Sequence, residues 1–253
     1  MVNSMFKRYF KNLYERTMAE SYGLASREIL RALEGGGNCL DCGAGGGHWF
    51  DKLSDLVGMD KSRYCGIEWN SMLVNDARNK SLNIVHGDLN NDLPFESGKF
   101  TCVFALSVLE HLLNGCHFLK ECHRVLKDKG TLILITPNIS TYFTIALLLL
   151  GNMPSTGPHP DLTASVKGKE SFKMGSEEMV PDHESQTPVF RHLVVFSFRA
   201  LRNYLRTIDF SDVVGRCFGL YPFPNFMQPF LEKIDPYHCH QMVFIARKHD
   251  ELS

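Results

Sequence analysis

The sequence lacks an excess of either charge. Lysine and arginine number 27 against 28 aspartates and glutamates, which gives a formal net charge of -1 over 253 residues. No long basic run occurs anywhere in the chain. Electrostatics therefore do not favour a nucleic acid as a partner, and we expect none.

The sequence also lacks a long apolar run. The longest, YFTIALLLLGNM from Tyr142, is too short to span a bilayer. The first ten residues, MVNSMFKRYF, contain no continuous apolar segment of the kind that secretory signals carry. We therefore expect a cytoplasmic protein with no stable membrane insertion, and we expect its eight cysteines to be reduced.

Paired metal-ligand motifs are lacking as well. Cys39 and Cys42 form one C-x-x-C, but the chain has no second such pair. Three positions apart on a strand, their side chains point to opposite faces, which suits neither zinc nor a dithiol, so we interpret them as small buried residues. The runs CHFLKECH (116–123) and HCH (238–240) match no ligand spacing. The sequence therefore predicts no metal.

What the sequence does contain is a regular alternation of strand and helix patterns. Short apolar segments alternate with amphipathic ones between residues 39 and 137, and this predicts a parallel sheet with helices on both faces. The predicted fold class is α/β: a Rossmann-like, seven-stranded, mostly parallel sheet with N-terminal helices and a lid insertion. The predicted strands are 39–42, 64–68, 83–88, 100–107, 131–137, 212–218 and 240–248.

A single domain is expected over residues 1–253. Its predicted segments are N-terminal helices (1–36), a cofactor-binding core (37–138), a lid or acceptor insertion (139–192) and a C-terminal helix with the last strands (193–253). The insertion begins with a predicted helix over 139–150 and continues in a stretch rich in glycine, proline, serine and charge. Loops of this length in a compact domain are usually functional or disordered.

A glycine turn follows the first predicted strand, in NCLDCGAGGGHW (38–49). Glycines between a strand and a helix let the backbone approach a ligand closely at the edge of an α/β sheet. Gly43, Gly45 and Gly47 fall as G-x-G-x-G, and His48 stands where a dinucleotide fingerprint requires its last glycine. The Gly-Lys-Ser/Thr ending of a phosphate-binding Walker loop is absent.

Two carboxylates follow the next two predicted strands. Glu68 ends the second strand, 21 residues after Gly47, where an acid accepts the two hydroxyls of a ribose. Asp88 ends the third strand, where a carboxylate can accept a hydrogen bond from an adenine amino group. Together with the glycine turn, these residues frame an adenosine and need no pyrophosphate.

These segments resemble the class I S-adenosylmethionine-dependent methyltransferases, specifically their type-11 small-molecule group. CLDCGAGGG is similar to the family's cofactor loop and GIEWN to its ribose segment. GDLNNDLPFESGKFTCVFALSVLEHL is similar to its third and fourth motifs, and FLKECHRVLKDKGTLILITPN to the helix, turn and strand after them. The resemblance implies S-adenosyl-L-methionine as cofactor and S-adenosyl-L-homocysteine as product.

The resemblance also implies which residues hold the cofactor. These are Asp41, Gly43, Ala44, Gly45 and Gly47 at the methionine end, Glu68 at the ribose, Trp69, Asp88 and Leu89 at the adenine, and Ser107 beside the sulfonium. Other interpretations stay open. Glu68 would also suit a cap for the next helix, Asp88 would also suit a turn, and Trp69 would also suit ordinary packing.

The implied reaction is methyl transfer to O, N or C of a small-molecule acceptor such as a glycan, a quinone-like compound or a secondary metabolite. A metal is not obligatory, because the sulfonium is already electrophilic and alignment does most of the work. A base is needed only for an acceptor that loses a proton, and a histidine suits neutral pH. The candidates are His192, then His183 and His111. Two alternatives remain: a nicotinamide-dependent oxidoreductase, and a non-catalytic S-adenosylmethionine-binding protein.

Overall fold

The computed structural model describes residues 2–154, 171–172 and 192–250. Seven helices and nine strands lie within these residues. The helices are α1 (Val2–Leu33), α2 (His48–Val57), α3 (Ser71–Asn79), α4 (Gly115–Val125), α5 (Tyr142–Leu149), α6 (Phe198–Thr207) and α7 (Gln228–Ile234). The strands are β1 (Cys39–Cys42), β2 (Tyr64–Glu68), β3 (Asn83–His86), β4 (Phe100–Leu106), β5 (Leu126–Pro137), β6 (Met153–Pro154), β7 (Ser171–Phe172), β8 (Phe210–Phe218) and β9 (Gln241–Lys248).

Seven of the strands form one sheet in the order β3-β2-β1-β4-β5-β9-β8. The first five of these are parallel to their neighbours, whereas β9 runs antiparallel to both β5 and β8. Parallel neighbours need a crossover connection, usually a helix, and α2, α3 and α4 alternate with the strands accordingly. The predicted α/β class with a seven-stranded, mostly parallel sheet is confirmed. Among the described residues, the short strands β6 and β7 form a separate two-stranded sheet.

Each face of the sheet has its own hydrophobic core. β1 is buried along its whole length, and its side chains alternate between the two faces. Cys39 lies in one cluster with Ile29 of α1 and Leu53 of α2, whereas Cys42 lies in the other with Phe118 of α4. The prediction of two small buried cysteines on opposite faces is confirmed, and all eight cysteines are free.

The N-terminal region forms one 32-residue helix rather than two. Its buried apolar positions recur at helical spacing and are Phe10, Leu13, Ala25, Ile29 and Leu33. Thr17 and Ser21 are buried too, and each hydroxyl donates to the carbonyl four residues earlier at 2.8 Å. The helix ends before Gly36 and Gly37, whose φ values of 86° and 109° are incompatible with a continuing helix. α1 thereby packs across β4, β5 and β9.

The structure departs most clearly from the predicted elements in three places. β5 begins at Leu126 rather than at residue 131, because its first residue already pairs with β4 across a bulge. α5 begins at Tyr142 rather than at residue 139, because the Thr141 hydroxyl accepts the Thr144 amide and caps the helix there. The proline-rich segment 221–236, which carried no helix prediction, contains α7, with a proline in the first turn where its missing amide costs least.

The predicted lid lies mostly outside the described residues, since 155–170 and 173–191 are not among them. α5, which opens this insertion, is eight residues long. Within the part of the chain that the structure describes, no helix has both the length and the apolar character needed to cross a membrane.

Candidate active site

The candidate active site lies at the carboxyl end of the parallel strands. β1 has neighbours on both sides, and Cys42 stands opposite Ile67 of β2 and Ala105 of β4. Residues that follow these strands therefore converge on one edge. The glycine turn, Glu68 and Ser107 all stand there. This is the edge at which open α/β sheets bind their ligands.

The glycine turn requires its glycines for backbone conformation. Gly43, Gly45 and Gly47 have φ values of 78°, 53° and 84°, in the left-handed region that side chains disfavour. A Cβ atom on Gly43 would lie 2.6 Å from Val108 Cγ2, and one on Gly47 would collide with Leu82. A Cβ atom on Gly45 would meet nothing within 4 Å. This part of the turn therefore borders open space, where a ligand can approach the main chain.

Glu68 ties the glycine turn to the end of β2. One carboxylate oxygen accepts the Gly45 amide and the other accepts the Asn70 amide, each at 2.9 Å. The Ala44 amide donates to the Ile67 carbonyl at 3.1 Å, which adds a main-chain link at the same place. Glu68 is 8% exposed. A carboxylate can accept about four hydrogen bonds, so the two amides leave capacity for the hydroxyls of a ligand.

Helix α3 is capped by Asn70 and not by Glu68. Asn70 Oδ1 accepts the amides of Met72 and Leu73 at 3.0 and 3.3 Å, which is how an asparagine N-cap satisfies the first turn of a helix. The interpretation of Glu68 as a helix cap is therefore wrong. Its carboxylate shapes the glycine turn instead.

Two of the three residues predicted to lie at the adenine, Trp69 and Asp88, are exposed beside β2 and β3. Trp69 is 47% exposed, so burial in the core does not explain this large side chain. Asp88 Oδ1 accepts both the amide and the side-chain amide group of Asn90, at 2.9 and 2.8 Å. The Gly87 amide donates to the Glu68 carbonyl at 3.0 Å. This bond holds the ends of β2 and β3 together, and it therefore keeps Glu68 and Asp88 near each other.

Three other predicted cofactor residues are buried beneath this edge. Asp41, Ala44 and Leu89 are 3%, 4% and 7% exposed. Asp41 accepts a hydrogen bond from the Tyr64 hydroxyl at 2.6 Å. Burial raises the pKa of Asp41 to about 7, although the hydrogen bond from Tyr64 acts in the opposite direction. A ligand at this edge would meet Ala44 and Leu89 through their main-chain atoms rather than their side chains.

Ser107 follows β4 in a strained conformation. Its φ of 59° is a left-handed value that is uncommon outside glycine, and such outliers cluster at ligand sites. Its amide donates to the Ile135 carbonyl at 2.8 Å. Its hydroxyl lies 3.3 Å from the hydroxyl of Tyr22, so α1 reaches the same edge of the sheet.

Two of the three predicted bases meet close to Ser107. His111 belongs to a short 3-10 turn just after β4, and the centroid of its ring lies 5.2 Å from that of His192. Potential ligand atoms of Glu110, His111 and His192 all lie within 4.8 Å of one another. The third predicted base, His183, lies outside the described residues.

Glu110 is the member of this cluster that the sequence analysis missed. It is 2% exposed, and burial raises its pKa to about 7. The Thr136 hydroxyl donates to its carboxylate at 3.0 Å, and the Leu193 amide donates to its carbonyl at 2.7 Å. The second bond fixes the segment containing His192 against the turn. The sequence did show an acid, Glu110, directly before the candidate base His111. Nothing in the sequence, however, placed His192 beside Glu110.

Comparison with known proteins agrees with this geometry. A family model described as a methyltransferase domain matches residues 14–214, a span that contains the glycine turn, both strand-end carboxylates and the Glu110 cluster. The chain belongs to this methyltransferase family. Its relatives and structural neighbours include S-adenosylmethionine-dependent methyltransferases, which supports the class I assignment that the sequence predicted, and the type-11 group is consistent with them. S-adenosylmethionine is therefore the cofactor that membership implies.

Curated relatives match the chain over its cofactor core. A probable S-adenosylmethionine-dependent methyltransferase of Mycolicibacterium smegmatis is 31% identical over 109 residues, which cover 42% of this chain and 40% of that protein. A demethylmenaquinone methyltransferase of Staphylococcus epidermidis is 30% identical over 133 residues, which cover 47% of this chain and 54% of that protein. The chain thus spans about half the length of the curated relatives it matches.

Solved structures match nearly the whole chain. A SAM-dependent methyltransferase from Archaeoglobus fulgidus aligns with a TM-score of 0.57 at 15% identity, covering 92% of this chain and 97% of that one. A possible histamine N-methyltransferase from Thermotoga maritima aligns with a TM-score of 0.52 at 14% identity, covering 94% and 99%. At these identities the likeness shows the fold alone.

The residues at the strand edge fit S-adenosylmethionine. The open main chain at Gly45 gives a ligand room to approach, and Glu68 offers acceptors that suit ribose hydroxyls. The exposed ring of Trp69 and the carboxylate of Asp88 suit the face and the amino group of an adenine. Because Glu68 and Asp88 are both hydrogen-bond acceptors, the set favours a ligand that donates hydrogen bonds to them.

Proposed function

We propose that this protein catalyses methyl transfer from S-adenosylmethionine to an oxygen, nitrogen or carbon atom of a small-molecule acceptor. The observation that carries the proposal is Glu68, whose carboxylate orders the glycine turn through the Gly45 amide and keeps acceptor capacity at the strand edge. The match to the methyltransferase family over residues 14–214 supports it. That match disfavours the nicotinamide-dependent oxidoreductase.

The acceptor belongs to the same proposal at a finer level. We propose a glycan, a quinone-like compound or a secondary metabolite. The similarity to a demethylmenaquinone methyltransferase supports a quinone-like acceptor, within the 47% of the chain that it covers. The balanced net charge of -1 supports a small molecule over a nucleic acid.

The task of the chain is to hold and orient both reactants. Bound S-adenosylmethionine supplies an electrophilic methyl group on a sulfonium. Glu68 accepts hydrogen bonds from the ribose hydroxyls, and Asp88 accepts one from the adenine amino group. The ring of Trp69 lies against the adenine. Ser107 stands at the methionine end, and its backbone is strained there. Alignment of this kind lowers the activation free energy by up to about 7–11 kcal/mol.

An acceptor that loses a proton needs a group to receive it. We propose an imidazole nitrogen of His192 for this role, with His111 as the neighbouring ring and Glu110 as the carboxylate that stabilises the resulting positive charge. His183 remains a candidate outside the described residues. An acceptor that is already nucleophilic in its neutral form needs only the alignment.

The test of the donor site is calorimetric titration of S-adenosylhomocysteine, and separately of NAD, into the wild type, Glu68→Ala and Glu96→Ala. Glu96 is an exposed glutamate elsewhere on the chain and serves as the matched control. We expect micromolar binding of S-adenosylhomocysteine that Glu68→Ala weakens about 10- to 100-fold, because a hydrogen bond to a charged group is worth about 1.5–3 kcal/mol. Glu96→Ala should bind like the wild type.

Other outcomes would change the assignment. Binding of NAD in place of S-adenosylhomocysteine would contradict the proposal. A second outcome is that the protein binds S-adenosylhomocysteine and yet consumes no S-adenosylmethionine, either with any acceptor in a panel or by slow hydrolysis. That result would favour a non-catalytic binding protein. Equal affinity in Glu68→Ala and the wild type would place the nucleoside elsewhere.

A further inference from the structure

The side chains next to Ser107 form a donor set of two imidazoles and one carboxylate. His111 and Glu110 come from the turn after β4, and His192 from the segment before α6. Two histidines with one glutamate is a set that holds catalytic zinc and leaves a fourth position open. First-row divalent metals in general accept imidazole together with carboxylate. We propose that Glu110, His111 and His192 bind one divalent transition-metal cation, with zinc as the best match to this set.

The distances allow one cation to bind all three side chains. Their ligand atoms lie within 4.8 Å of one another. Zinc bonds nitrogen and carboxylate oxygen at about 2.0–2.2 Å, so two ligands of one ion lie at most about 4.2 Å apart. Closing the cluster onto an ion therefore requires side-chain movements of the order of an ångström.

Two further contacts hold the cluster in place. The buried hydroxyl of Thr136 donates to Glu110 Oε2 at 3.0 Å, which orients the carboxylate. Hydrogen bonds of this kind orient ligands in metal sites. The Leu193 amide donates to the Glu110 carbonyl at 2.7 Å. The main chain therefore fixes His192 next to the carboxylate, although 82 positions separate them.

The sequence concealed this set because metal motifs are recognised by short spacings. CHFLKECH and HCH are rich in histidine and cysteine, yet in the structure His117 pairs with Asp92 and His238 with Asp235. The ligands of the proposed site are two adjacent residues and one distant residue. The expectation of no metal rested on ligand spacing and on the reactivity of the sulfonium, and the folded chain supplies a set that spacing does not reveal.

The role of the cation rests on the proposed function. With three protein ligands, its open position would take an acceptor oxygen such as a hydroxyl. The cation would lower the pKa of that hydroxyl, so that the O–H bond breaks and the proton passes to water. In the cation-bound protein both imidazoles are ligands and no longer bases. The proton transfer to His192 proposed above then describes the metal-free protein.

The test is a zinc titration of the full-length, tag-free, chelator-stripped protein, followed by calorimetry. The wild type should bind one Zn²⁺ per chain. His192→Ala and His111→Ala should each bind at least tenfold more weakly, and Glu110→Gln should do the same. His117→Ala is the matched control, because it removes a histidine that stands 3.0 Å from a carboxylate on the surface. Its zinc affinity should equal that of the wild type.

Binding of S-adenosylhomocysteine, measured on the same preparations, separates folding and the donor site from the metal site. A variant that keeps this binding but loses zinc supports the inference. Zinc binding that is substoichiometric, unchanged in His192→Ala and His111→Ala, or lost equally in His117→Ala overturns it. If His192→Ala binds neither zinc nor S-adenosylhomocysteine, His192→Asn is the less disruptive variant to test in its place. Zinc affinity equal to that of the wild type in His192→Asn would overturn the inference. Zinc bound without S-adenosylhomocysteine in the wild type would refute the proposed function and leave the metal site standing.

Discussion

The two halves of the candidate site are built in different ways. The half assigned to the cofactor consists of residues at strand ends, linked through the main chain, as in the hydrogen bond from the Gly45 amide to Glu68. The half next to Ser107 consists of side chains from a short turn and from a segment 82 positions later, linked by the bond from Leu193 to Glu110. Under the proposed function, the sheet itself selects the methyl donor. The acceptor chemistry then depends on a few side chains that the sheet brings within reach of one another.

The largest effect should come from forcing a side chain into the main-chain half. Gly47→Ala requires an alanine at a φ of 84° and drives its Cβ into Leu82. We expect the free energy of unfolding to fall by about 2–5 kcal/mol, from about 1–2 for the left-handed conformation and about 1–3 for overpacking. Gly98→Ala is the control, because Gly98 has a φ of 66° and open space around the added Cβ. The free energy of unfolding of Gly98→Ala, measured in urea, should fall by only about 1–2 kcal/mol. Equal losses in Gly47→Ala and Gly98→Ala would contradict this explanation.

A pH-dependent effect should follow from the buried carboxyl under the glycine turn. Burial raises the pKa of Asp41 from 3.8 to about 7, so the folded protein holds this proton more tightly than the unfolded chain does. Stability from this group is therefore present below pH 4 and is lost as the pH rises towards 7, by at most about 1.4 kcal/mol per pH unit.

Asp41→Asn keeps an acceptor for the Tyr64 hydroxyl and removes the titration. Relative to the wild type, the variant should therefore gain stability as the pH is raised from 4 to 7. Chemical denaturation at pH 5 and pH 8 measures the difference between the two proteins. A difference that does not change with pH would show that Asp41 is ionised in the folded state.

A smaller effect is expected at the adenine end of the cofactor half. Asp88→Ala should weaken S-adenosylhomocysteine about tenfold, near the lower limit for a hydrogen bond to a charged group, because Asp88 is exposed and shares its carboxylate with Asn90. Asp92→Ala changes an exposed aspartate four positions later and should leave the affinity unchanged. Calorimetry on both variants measures the difference. If both lose affinity equally, Asp88 has no specific role.

The smallest effect should come from the other half of the site. His192→Ala removes a side chain that makes no assigned contact with the cofactor, so S-adenosylhomocysteine should bind within about twofold of the wild-type affinity, a change below about 0.4 kcal/mol. Calorimetry checks this on the metal-free protein. A loss as large as that of Asp88→Ala would mean that the two halves are not separate.

The cofactor half could be predicted from the sequence because each of its parts is local. Gly43, Glu68 and Asp88 each stand at or just after the end of a recognisable strand, and parallel strands necessarily bring their carboxyl ends to one edge. The second role of Glu68, which accepts the Gly45 amide, could not be predicted, since it depends on the exact path of the turn. The same holds for the helix in the segment 221–236, where prolines obscured seven helical residues.

The Glu110 cluster could be predicted only in part. His111 and His192 were separate candidates, but their proximity depends on a main-chain bond between Leu193 and Glu110 that no periodicity reveals. Glu110 itself is a buried acid next to a polar partner, Thr136, in a strand that the sequence marks as apolar. Such long-range polar pairs arise from the packing of the whole domain and not from any local pattern.

The most direct test of the account is hydrogen–deuterium exchange of the wild type with and without S-adenosylhomocysteine. Three segments should gain protection on binding: the glycine turn (43–47), the end of β2 and the start of α3 (68–73), and the residues after β3 (87–90). The segment 192–197 should change little in the same experiment. Protection confined to the first three segments is the predicted result. No protection there, or protection concentrated in another part of the chain, would contradict the assignment of this strand edge to S-adenosylmethionine.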